Sequence, residues 1–445
     1  MDPALVNRLS RPLPRYTSYP TTPHFRDDVG AETHASWVED MPSSSRVSLY
    51  IHIPFCDTLC WFCACTTKIT RRYEPIANYL RQMTAEIDRV SDLLPDGPQV
   101  DHIHWGGGSP DILAPEDISS LSALLRNRFA VADDAEFAIE VDPREVTNEK
   151  IDALVAAGLT RISLGVQDFD PAVQKAINRH QSIEKTRDVV DRFRAAGIAS
   201  VNIDLVYGLP YQTTDTAGRT IEAVIALDPN RVAIFGYAHL PQRVTHQRLI
   251  NNDSVPGIEE RLVLSRIMSD NLTDAGYVRT GIDHFCKPDD TMAAGPLRRN
   301  FQGYTTDLSD ALLGFGASAI SRLPQGYVQN TIPIADYQRR IEQTGLGTVR
   351  GIMLSPQDKA RAFAIEKLMC ELRFPAHELC QRFGRAGACV ADEGERLTDF
   401  RQNGLVEPTA DGFIVTEKGR PFLRAIAAEF DAYLSLGSTT HSTGI

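Results

Sequence analysis

Four cysteines lie within ten residues of each other, at Cys56, Cys60, Cys63 and Cys65, directly after the apolar stretch 47–53. Thiolates at the C-x3-C-x2-C spacing of the first three can ligate one face of a [4Fe–4S] cluster. A closed cluster normally takes four ligands, so three ligands leave one iron open to a substrate or a cofactor. The spacing therefore predicts an iron–sulfur cluster with an open coordination position.

Zinc and disulfide bonds are the alternatives to a cluster. Structural zinc usually takes two separated pairs of ligands, and no second cysteine pair follows the first at roughly 12 to 20 residues. Cytoplasmic proteins rarely hold structural disulfides, which argues against the second alternative. The other cysteines share no ligand spacing with this loop and are predicted to be structural thiols: Cys286, Cys370, Cys380 and Cys389.

Short apolar runs rich in Val and Ile alternate along the chain with segments of helical period. The predicted strands are Val47–Ile53, His102–Trp105, Phe137–Val141, Arg161–Val166, Val201–Val206 and Arg231–Gly236. The predicted helices are Ile76–Leu93, Ile118–Phe129, Asn148–Ala157, Ile183–Ala196 and Thr213–Ala226. This alternation indicates βαβ units and an α/β fold with a parallel sheet, which periodicity leaves open as a partial barrel or a flat doubly wound sheet.

Polar residues cluster where the predicted strands end, and this favours the barrel-like alternative. In parallel α/β folds the ligand site lies at the carboxyl ends of the strands. Besides the cysteines, the residues at those ends are Gly106 to Ser109, Glu140, Asp142, Gln167, Asp204 and His239. We therefore expect them to surround one site together with the cysteine loop.

The later part of the chain gives weaker signals. Residues 242–350 hold a predicted helix at Ile258–Ala275 and then loop-rich sequence around 281–306. A second domain is predicted from about Leu354, and its order of helices, turn and strand resembles a small winged-helix module with a packing or lid role. The predicted organisation is a 1–45 arm over the active site, a 46–350 catalytic domain, a 351–436 C-terminal domain and a 437–445 disordered tail.

Composition narrows the class of partner. Of the 445 residues 42% are hydrophobic and 23% charged, as in a globular protein, and the net charge is −12. That charge argues against binding nucleic acid or an anionic membrane. The N-terminus lacks the apolar core of a signal peptide, so the chain is expected in the cytoplasm. An anionic substrate would need local Arg or Lys residues, for which Arg15, Arg298 and Arg299 are candidates.

Seven further motifs accompany the cysteine loop and its aromatic residues Trp61 and Phe62. They are Pro14-Arg-Tyr-Thr-Ser-Tyr-Pro-Thr21, Trp105-Gly-Gly-Gly-Ser-Pro110, Ile139-Glu-Val-Asp-Pro-Arg144, Gly165-Val-Gln-Asp-Phe169, Asn202-Ile-Asp-Leu-Val-Tyr-Gly-Leu-Pro210, Tyr237-Ala-His-Leu-Pro241 and Arg299-Asn-Phe-Gln-Gly-Tyr-Thr-Thr306. With these motifs the chain resembles the oxygen-independent coproporphyrinogen III oxidase family of the radical S-adenosylmethionine (SAM) superfamily. The resemblance implies a partial (β/α)6 radical SAM barrel with a small, mainly helical, winged-helix-like C-terminal domain.

The resemblance also implies the cofactors and their ligands. Cys56, Cys60 and Cys63 would ligate the [4Fe–4S] cluster, and Cys65 would be either a non-ligand or a fourth ligand in the resting state. The residues implied around a first SAM are Tyr50, Gly107, Glu140 and Ile320. Those implied around a second SAM are Phe62, Gly108, Ser109, Gln167, Arg179, Asp204 and Ala238.

Several of these residues have structural alternatives. The glycines at 106–108 suit a cradle for the methionine amino group or a tight turn. The carboxylate of Glu140 is suited to accept hydrogen bonds from a ribose diol or to form a salt bridge with Arg144. Arg179 suits a ligand or a helix-terminal charge. The residues that the resemblance implies for catalysis are Tyr50, Glu140, Arg179, Phe301, Gln302 and Ile320.

The implied reaction is anaerobic oxidative decarboxylation of two propionates of coproporphyrinogen III to vinyl groups through a 5'-deoxyadenosyl radical, giving protoporphyrinogen IX for haem biosynthesis. We expect a monomer that receives electrons from flavodoxin or ferredoxin. The alternatives are a haem-binding chaperone, a haem-degrading or methyl-transferring radical SAM relative, and a zinc-stabilised structural protein. Intact Cys65 and the run 299–306 speak against the chaperone, and intact Cys65 and the run 14–21 speak against the haem-degrading or methyl-transferring relative.

Two local features add expectations near the substrate. The segment 291–297 is shorter than in the family, which weakens the assignment of Phe301 and Gln302. Arg15, Tyr16 and Tyr19 form an aromatic and basic arm, which we expect to cover a carboxylated macrocycle through stacking and charge.

Overall fold

One twelve-stranded sheet organises most of residues 3–434, the residues that the computed structural model describes. The strands of the described chain are β1 (Arg46–Ile53), β2 (Phe55–Cys56), β3 (Lys68–Ile69), β4 (Gln99–Gly107), β5 (Ala130–Val141), β6 (Arg161–Gln167), β7 (Ser200–Tyr207), β8 (Arg231–Gly236), β9 (Val278–Thr280), β10 (His284–Cys286), β11 (Arg298–Asn300), β12 (Gly303–Thr305), β13 (Ala311–Phe315), β14 (Ile320–Leu323), β15 (Gly326–Asn330), β16 (Thr348–Met353), β17 (Arg373–Pro375), β18 (Val406–Thr409) and β19 (Gly412–Val415).

The helices cover the sheet and build the C-terminal part of the chain. They are α1 (Pro3–Leu9), α2 (Ala31–Glu39), α3 (Glu74–Leu93), α4 (Pro115–Arg128), α5 (Asn148–Ala156), α6 (Pro171–Ala176), α7 (Ile183–Ala195), α8 (Thr214–Ile225), α9 (Ile258–Asp274), α10 (Thr291–Ala294), α11 (Ile334–Thr344), α12 (Pro356–Glu371), α13 (Ala376–Gly394, interrupted at Gly384), α14 (Thr398–Gln402) and α15 (Leu423–Ala428). Among the described residues no helix combines the length and the hydropathy that crossing a membrane requires.

The sheet has the order β16-β15-β14-β13-β1-β4-β5-β6-β7-β8-β10-β9. The six strands predicted from the sequence are β1 and β4 to β8, and all of them pair in parallel. The end strands β16 and β9 do not meet, so the sheet is an open, partial barrel. Parallel pairing brings the carboxyl ends of these strands to one edge, where loops can present chemistry above the core.

Helix α3 shows why the sequence folds in this way. Its apolar residues recur three and four positions apart, and this stripe packs on the sheet. The buried members of the stripe are Ile76, Tyr79, Leu80, Met83, Ile87 and Val90. Each such side chain stabilises the fold by about 1.5–3 kcal/mol through its burial. The cores beneath α3, α4, α5, α7 and α8 are continuous, so the whole sheet is one packed unit.

Strands β13 to β16 were missed by the sequence reasoning. Strand β13 pairs in parallel with β1, and β14, β15 and β16 follow it as antiparallel neighbours. The interpretation of 281–306 as loop-rich is also only partly right, because β10, β11 and β12 begin in it. These strands are three to six residues long, too short to show a clear period of two.

The N-terminal segment and the C-terminal segment share a second core. Leu5, Val6, Leu9 and Leu13 pack with residues of α12, α13 and α15. A small sheet of the order β17-β19-β18 completes this C-terminal module, in agreement with the predicted turn at Ala410-Asp-Gly412. The predicted disordered tail 437–445 lies outside the described residues.

The positions of Tyr16 and Tyr19 contradict the expectation that these rings stack on a macrocycle. Both rings are buried, at 4% and 2% exposure, so they are not available to stack on a macrocycle. The Tyr16 hydroxyl donates to Asp431 over 3.1 Å, and the Tyr19 hydroxyl accepts from the amide of Ala432 over 3.0 Å. These two tyrosines therefore anchor the arm to the C-terminal module.

Candidate active site

A cavity of about 750 Å³ lies at the carboxyl ends of the parallel strands, and we call it the cysteine cavity. Cys56, Cys60, Cys63 and Cys65 all line it. The structure also brings most of the predicted site residues to its wall. These are Phe62, Gly107, Gly108, Ser109, Glu140, Gln167, Arg179, Asp204, Ala238 and Gln302.

The cysteine loop is held in place by backbone contacts from two other loops. The Trp61 amide donates to the carbonyl of Ile177 over 2.9 Å, and the Asn178 side chain donates to the carbonyl of Leu59 over 2.8 Å. On the other side Gln247 donates to the carbonyl of Phe62 over 2.8 Å. His246 lies 2.7 Å from the carbonyl of Cys63. The position of the thiols is therefore fixed by the protein fold.

The thiols fit a cluster better than a single ion. Cys60 is buried and Cys56 and Cys63 are half-buried, and all are free thiols facing one cavity. In residues 3–434 no three His, Cys, Asp or Glu side chains converge closely enough to hold one metal ion. Three thiols spread around a common space are the donor set that a larger iron–sulfur cluster requires.

Cys65 lies beside Cys63 within this donor set. The Cys65 amide donates to Sγ of Cys63 over 3.4 Å. A hydrogen bond from the Cys65 thiol lowers the pKa of Cys63, and the same bond raises the pKa of Cys65. Burial raises the pKa of Cys56 to about 12, and the two other thiols add to the rise. The four thiols therefore influence one another electrostatically.

Asp142 joins two guanidinium groups to the cysteine loop. It accepts from Nε of Arg144 over 2.9 Å and from Nη1 of Arg179 over 3.1 Å. Both arginines also reach Sγ of Cys60, Arg144 over 3.7 Å and Arg179 over 3.5 Å. Burial would raise the pKa of Asp142, but the two arginines outweigh it and lower this pKa to about 2. Arg179 is thus part of a buried ion-pair network rather than a helix-terminal charge.

Glu140 lies at the end of β5 and faces the same cavity. Its Oε1 is 3.4 Å from Nε2 of His104, and its Oε2 accepts from the amide of Gly107 over 3.1 Å. Burial opposes its ionisation, but these partners lower its pKa. The alternative of a salt bridge with Arg144 is wrong, because Arg144 pairs with Asp142. Glu140 is therefore an anion whose carboxylate can accept further hydrogen bonds in the cavity.

The packing of the protein itself requires glycine at positions 107 and 108. Gly107 has φ +115°, and a Cβ there would lie 2.6 Å from the ring of His52. A Cβ on Gly108 would lie 2.4 Å from the carbonyl oxygen of Phe55. The Gly108 amide donates to the carbonyl of Ile53 over 2.9 Å. The run 106–109 thus packs directly on the segment that leads into the cysteine loop.

Gln167 and Asp204 occupy neighbouring strand ends. Gln167 has φ +72°, which is unusual outside glycine and is typical of functional sites. Asp204 accepts from the hydroxyl of Ser163 over 2.8 Å and from the amide of Asn202 over 2.8 Å. Burial raises the pKa of Asp204, and the negative Glu140 adds to the rise. Both side chains present polar atoms to the cavity wall.

Three of the residues that the resemblance implies for catalysis or SAM binding do not line the cysteine cavity, namely Tyr50, Phe301 and Ile320. Gly106 and His239, two of the residues predicted at strand ends, do not line it either. Tyr50 stacks on His104 with ring centroids 5.9 Å apart, and its hydroxyl lies 2.9 Å from Nδ1 of His52. Phe301 and Ile320 lie together in a small apolar cluster around Tyr327. Tyr50 therefore supports the residues beside Glu140, and Gln302, next to Phe301 in the chain, does reach the wall.

The sequence reasoning missed three histidines near the site. His102 lies 3.8 Å from Asp307, and His104 lies beside Glu140. His52 is buried and lies 3.3 Å from the hydroxyl of Ser318, and burial lowers its pKa to about 4. The signal was the alternation in His102-Ile-His-Trp105, which puts both histidines on one face of β4.

Arg15, like Leu13, is a residue of the arm that reaches the cysteine cavity. It lines the cysteine cavity and donates to the carbonyl of Gly236 over 3.2 Å. Arg299 donates to the carbonyl of Arg15 over 3.4 Å. Arg298, the third candidate for binding anions, does not line this cavity.

Two family models match this chain. The Radical SAM superfamily model matches residues 50–224, which contain the cysteine loop and Glu140. The HemN C-terminal domain model matches residues 354–422, which lie in the C-terminal module. The two matches together span both of the cores described above.

Curated relatives and one solved structure are similar along nearly the whole chain. The oxygen-independent coproporphyrinogen III oxidase of Bradyrhizobium diazoefficiens is 45% identical over 437 residues, which are 97% of each chain. That of Paracoccus denitrificans is 41% identical over 97% of this chain and 96% of its own. The structure of coproporphyrinogen III oxidase (HemN) from Escherichia coli, described as a radical SAM enzyme, is 38% identical with a TM-score of 0.91. The match covers 97% of this chain and 99% of that one.

Proposed function

Because the chain belongs to the oxygen-independent coproporphyrinogen III oxidase family of the radical SAM superfamily, we propose that it oxidatively decarboxylates coproporphyrinogen III without oxygen. The product is protoporphyrinogen IX, an intermediate of haem biosynthesis. The observation that carries the proposal is the cysteine cavity, in which Cys56, Cys60 and Cys63 face Glu140 in a chain 45% identical to an oxidase over 97% of its length. Haem binding or haem degradation is not favoured.

Cys56, Cys60 and Cys63 would hold the [4Fe–4S] cluster that the superfamily uses with SAM. When bound, these cofactors supply a one-electron cleavage of the sulfonium that yields methionine and the 5'-deoxyadenosyl radical. The protein positions the cofactors and excludes water and competing hydrogen donors. The buried ion-pair network of Asp142, Arg144 and Arg179 fixes one side of this space.

Glu140 would accept hydrogen bonds from the ribose hydroxyls of a first SAM. His104 and the amide of Gly107 hold its carboxylate in place, and Tyr50 stacks on His104 from behind. Ile320, two strands from Tyr50 in the sheet, is proposed to support the same site through packing. This arrangement leaves the carboxylate ionised and directed at the cavity.

A second SAM would occupy the opposite part of the cysteine cavity. The residues proposed to contact it are Phe62, Gly108, Ser109, Gln167, Arg179, Asp204 and Ala238. Six of them lie at or near the ends of β4, β6, β7 and β8 or in the cysteine loop, Arg179 lies between α6 and α7, and all seven line the cavity. Its volume of about 750 Å³ is within the range of sites that bind small molecules.

The substrate would approach from the side of Gln302 and Phe301. Each propionate that reacts would lose one hydrogen atom to the 5'-deoxyadenosyl radical. It would then lose carbon dioxide and pass one electron to a one-electron acceptor, which leaves a vinyl group. We assign this conversion to the propionates of rings A and B. A reduced flavodoxin or ferredoxin is the proposed electron donor, and the enzyme is proposed to act as a cytoplasmic monomer without nucleic acid or membrane partners.

The test is an anaerobic assay of cluster-reconstituted protein with dithionite, SAM and coproporphyrinogen III. Mass spectrometry would detect tetrapyrrole products and 5'-deoxyadenosine. Loss of two carbon dioxide units with proportional 5'-deoxyadenosine supports the proposal. Formation of 5'-deoxyadenosine without any decarboxylated tetrapyrrole refutes the substrate assignment, and the Cys60→Ala variant, which lacks a proposed ligand, provides the background.

A further inference from the structure

A second cavity, of about 680 Å³, lies between β8, α9 and the C-terminal module, and we call it the basic cavity. It shares part of its wall with the cysteine cavity, namely Arg15, Phe235, Gly236 and Tyr237. None of the residues proposed above for the cluster or for SAM lines it. The two cavities therefore adjoin each other at these four residues.

Six guanidinium groups line the basic cavity. They belong to Arg15, Arg261, Arg266, Arg279, Arg299 and Arg424. Six cations around one cavity repel each other, and an anion in their midst would relieve this repulsion.

Carboxylates do not balance this charge. Among the described residues, Arg15, Arg261 and Arg279 form no ion pair within 4.0 Å, and Arg299 has only Asp283 at 4.0 Å. The other acidic groups on the wall are Glu259, Asp270 and Glu417. Asp270 pairs with Arg266 on the same wall, and Glu417 pairs with Arg420. The cavity therefore carries a net positive charge in a protein whose overall charge is −12.

Several donors in this cavity have no acceptor. Nε of Arg261, Nε of Arg279 and Nη1 of Arg299 are buried and have no hydrogen-bond partner among the described residues. Arg261 is only 8% exposed, so solvent reaches little of it. Buried donors without partners are rare in folded proteins and call for a ligand or another specific reason.

The electrostatic surroundings agree with this geometry. Burial lowers the pKa of Arg279 to about 10, and the nearby Arg420 lowers it further. Burial and then Arg15 lower the pKa of Arg424 to about 9. Arginine remains a cation at neutral pH with such values, so the positive charges stay in place and are poorly solvated.

The chain makes room for one of these arginines. A Cβ at Gly236 would lie 2.9 Å from the hydroxyl of Tyr207 and 3.2 Å from Nη2 of Arg261. At Gly208, where φ is +80°, a Cβ would lie 3.1 Å from Cγ of Arg261. Both glycines thus leave space for the guanidinium of Arg261 beside the shared wall.

We propose that the basic cavity binds the propionate carboxylates of the tetrapyrrole that are not decarboxylated, those of rings C and D. Guanidinium groups bind carboxylates in bidentate, charge-assisted hydrogen bonds, which are the acceptors that Arg261 and Arg279 lack. A macrocycle with carboxylates along its edge would occupy both cavities at once, crossing from one to the other at the residues that line both of them. This proposal rests on the proposed function, since it identifies where the same substrate is held.

The first experiment measures steady-state kinetics of the cluster-reconstituted enzyme with coproporphyrinogen III. Arg261→Gln and Arg279→Gln are expected to raise KM at least tenfold each while kcat stays within threefold. Arg261→Lys keeps a positive charge and is expected to recover part of the loss. Arg339→Gln is the control, because it removes an equally positive side chain from the exposed surface of α11. Unchanged KM in both cavity variants overturns the proposal.

The second experiment needs no variant and stays decisive where a variant does not fold. The wild-type enzyme receives coproporphyrinogen III with the ring C and D propionates converted to methyl esters. A KM raised at least tenfold supports the proposal, and an unchanged KM overturns it. If the wild-type enzyme does not decarboxylate coproporphyrinogen III itself, the proposed function fails before this inference is tested.

A third experiment separates the tetrapyrrole from small anions. Quenching of coproporphyrin III fluorescence reports its binding, and inorganic phosphate is added as the competitor. Displacement only at phosphate concentrations far above those of the porphyrin supports a tetrapyrrole site. Equal affinity for phosphate and porphyrin, lost together in Arg261→Gln, overturns the proposal in favour of a general anion site.

Discussion

The guanidinium of Arg144 lies 3.7 Å from Sγ of Cys60, and its Nε and Nη2 donate hydrogen bonds to the carboxylate of Asp142. A cation and donor at this distance stabilises negative charge on the sulfur. Hydrogen bonds to the sulfurs are one of the factors that set the reduction potential of an iron–sulfur cluster. Arg144 is therefore a positioning residue with a measurable electrochemical effect.

Arg144→Leu is expected to lower the midpoint potential of the cluster by about 30–60 mV, because 59 mV corresponds to about 1.4 kcal/mol for one electron. Asp142 keeps its pairing with Arg179, so the loop stays in place. Potentiometric titration followed by electron paramagnetic resonance measures the change. Arg219→Leu removes a positive charge from an exposed pair on α8 and should leave the potential as it is. Equal potentials in both variants would disprove the role of Arg144.

Glu140→Gln is expected to weaken SAM binding about 10- to 100-fold, since hydrogen bonds to charged groups contribute about 1.5–3 kcal/mol. Calorimetric titration of the reconstituted protein with SAM measures this. Glu222→Gln, which removes the same charge from the exposed face of α8, is the matched control and should bind SAM within twofold of wild type. A Glu140 variant that binds SAM normally would contradict the ribose assignment.

Glu86 links α3 to the loops around β13 and β15. Its carboxylate accepts hydrogen bonds from the amides of Gly316 and Gly347, the side chain of Asn330 and the hydroxyl of Tyr337. In Glu86→Gln an amide group would face donors, which costs about 1–3 kcal/mol and lowers Tm by about 2–8 °C. Differential scanning calorimetry measures the loss.

The control for Glu86 is Glu342→Gln on α11, whose side chain contacts only Gln82 across an exposed surface. Its Tm should stay within about 1 °C of wild type, because exposed contacts contribute little. A Glu86 variant as stable as this control would show that the four hydrogen bonds are not needed to hold the loops.

The burial of His34 leads us to expect that the free energy of unfolding depends on pH. Burial lowers its pKa to about 4, from an ordinary value of 6.5. Nδ1 lies 2.7 Å from the hydroxyl of Thr348, and Nε2 is buried with no partner, so a second proton would have no acceptor. Between about pH 4 and 6.5 the unfolded chain therefore binds more protons, and stability rises with pH.

His34→Gln is expected to flatten this rise by more than about 1 kcal/mol across the window, since one pKa unit corresponds to 1.36 kcal/mol. Thermal unfolding of both proteins from pH 4.5 to 7 measures the difference. His377→Gln, at the exposed start of α13, serves as the comparison and should keep the wild-type slope. Parallel curves for wild type and the His34 variant would contradict the prediction.

The central strands and the cysteine cavity could be predicted from the sequence because they leave strong local patterns. Apolar runs rich in Val and Ile predicted β1 and β4 to β8, and most of the predicted residues at their ends line one cavity, although Gly106 and His239 do not. Strand β13 could not be identified in this way. Its place next to β1 depends on contacts between residues more than 260 positions apart, as in Val47 with Ala311.

The contacts within the site could also not be predicted from the local sequence. Glu140 was recognised as a site residue, but its partners His104 and Gly107 come from the neighbouring strand. Arg144, four residues further along, looked like a nearer partner for Glu140 but pairs with Asp142. Tyr16 and Tyr19 were predicted to stack on a macrocycle because nothing in a local stretch shows that they are covered by the distant segment 431–433.

The shared core of the N-terminal and C-terminal segments sets an order in time for biosynthesis. Residues 5–19 leave the ribosome well before their packing partners in 360–430. Domains generally form as units during synthesis, so the sheet can assemble before residues 5–19 find these partners. Arg15 therefore reaches its place between the two cavities only after residues 360–430 have been made.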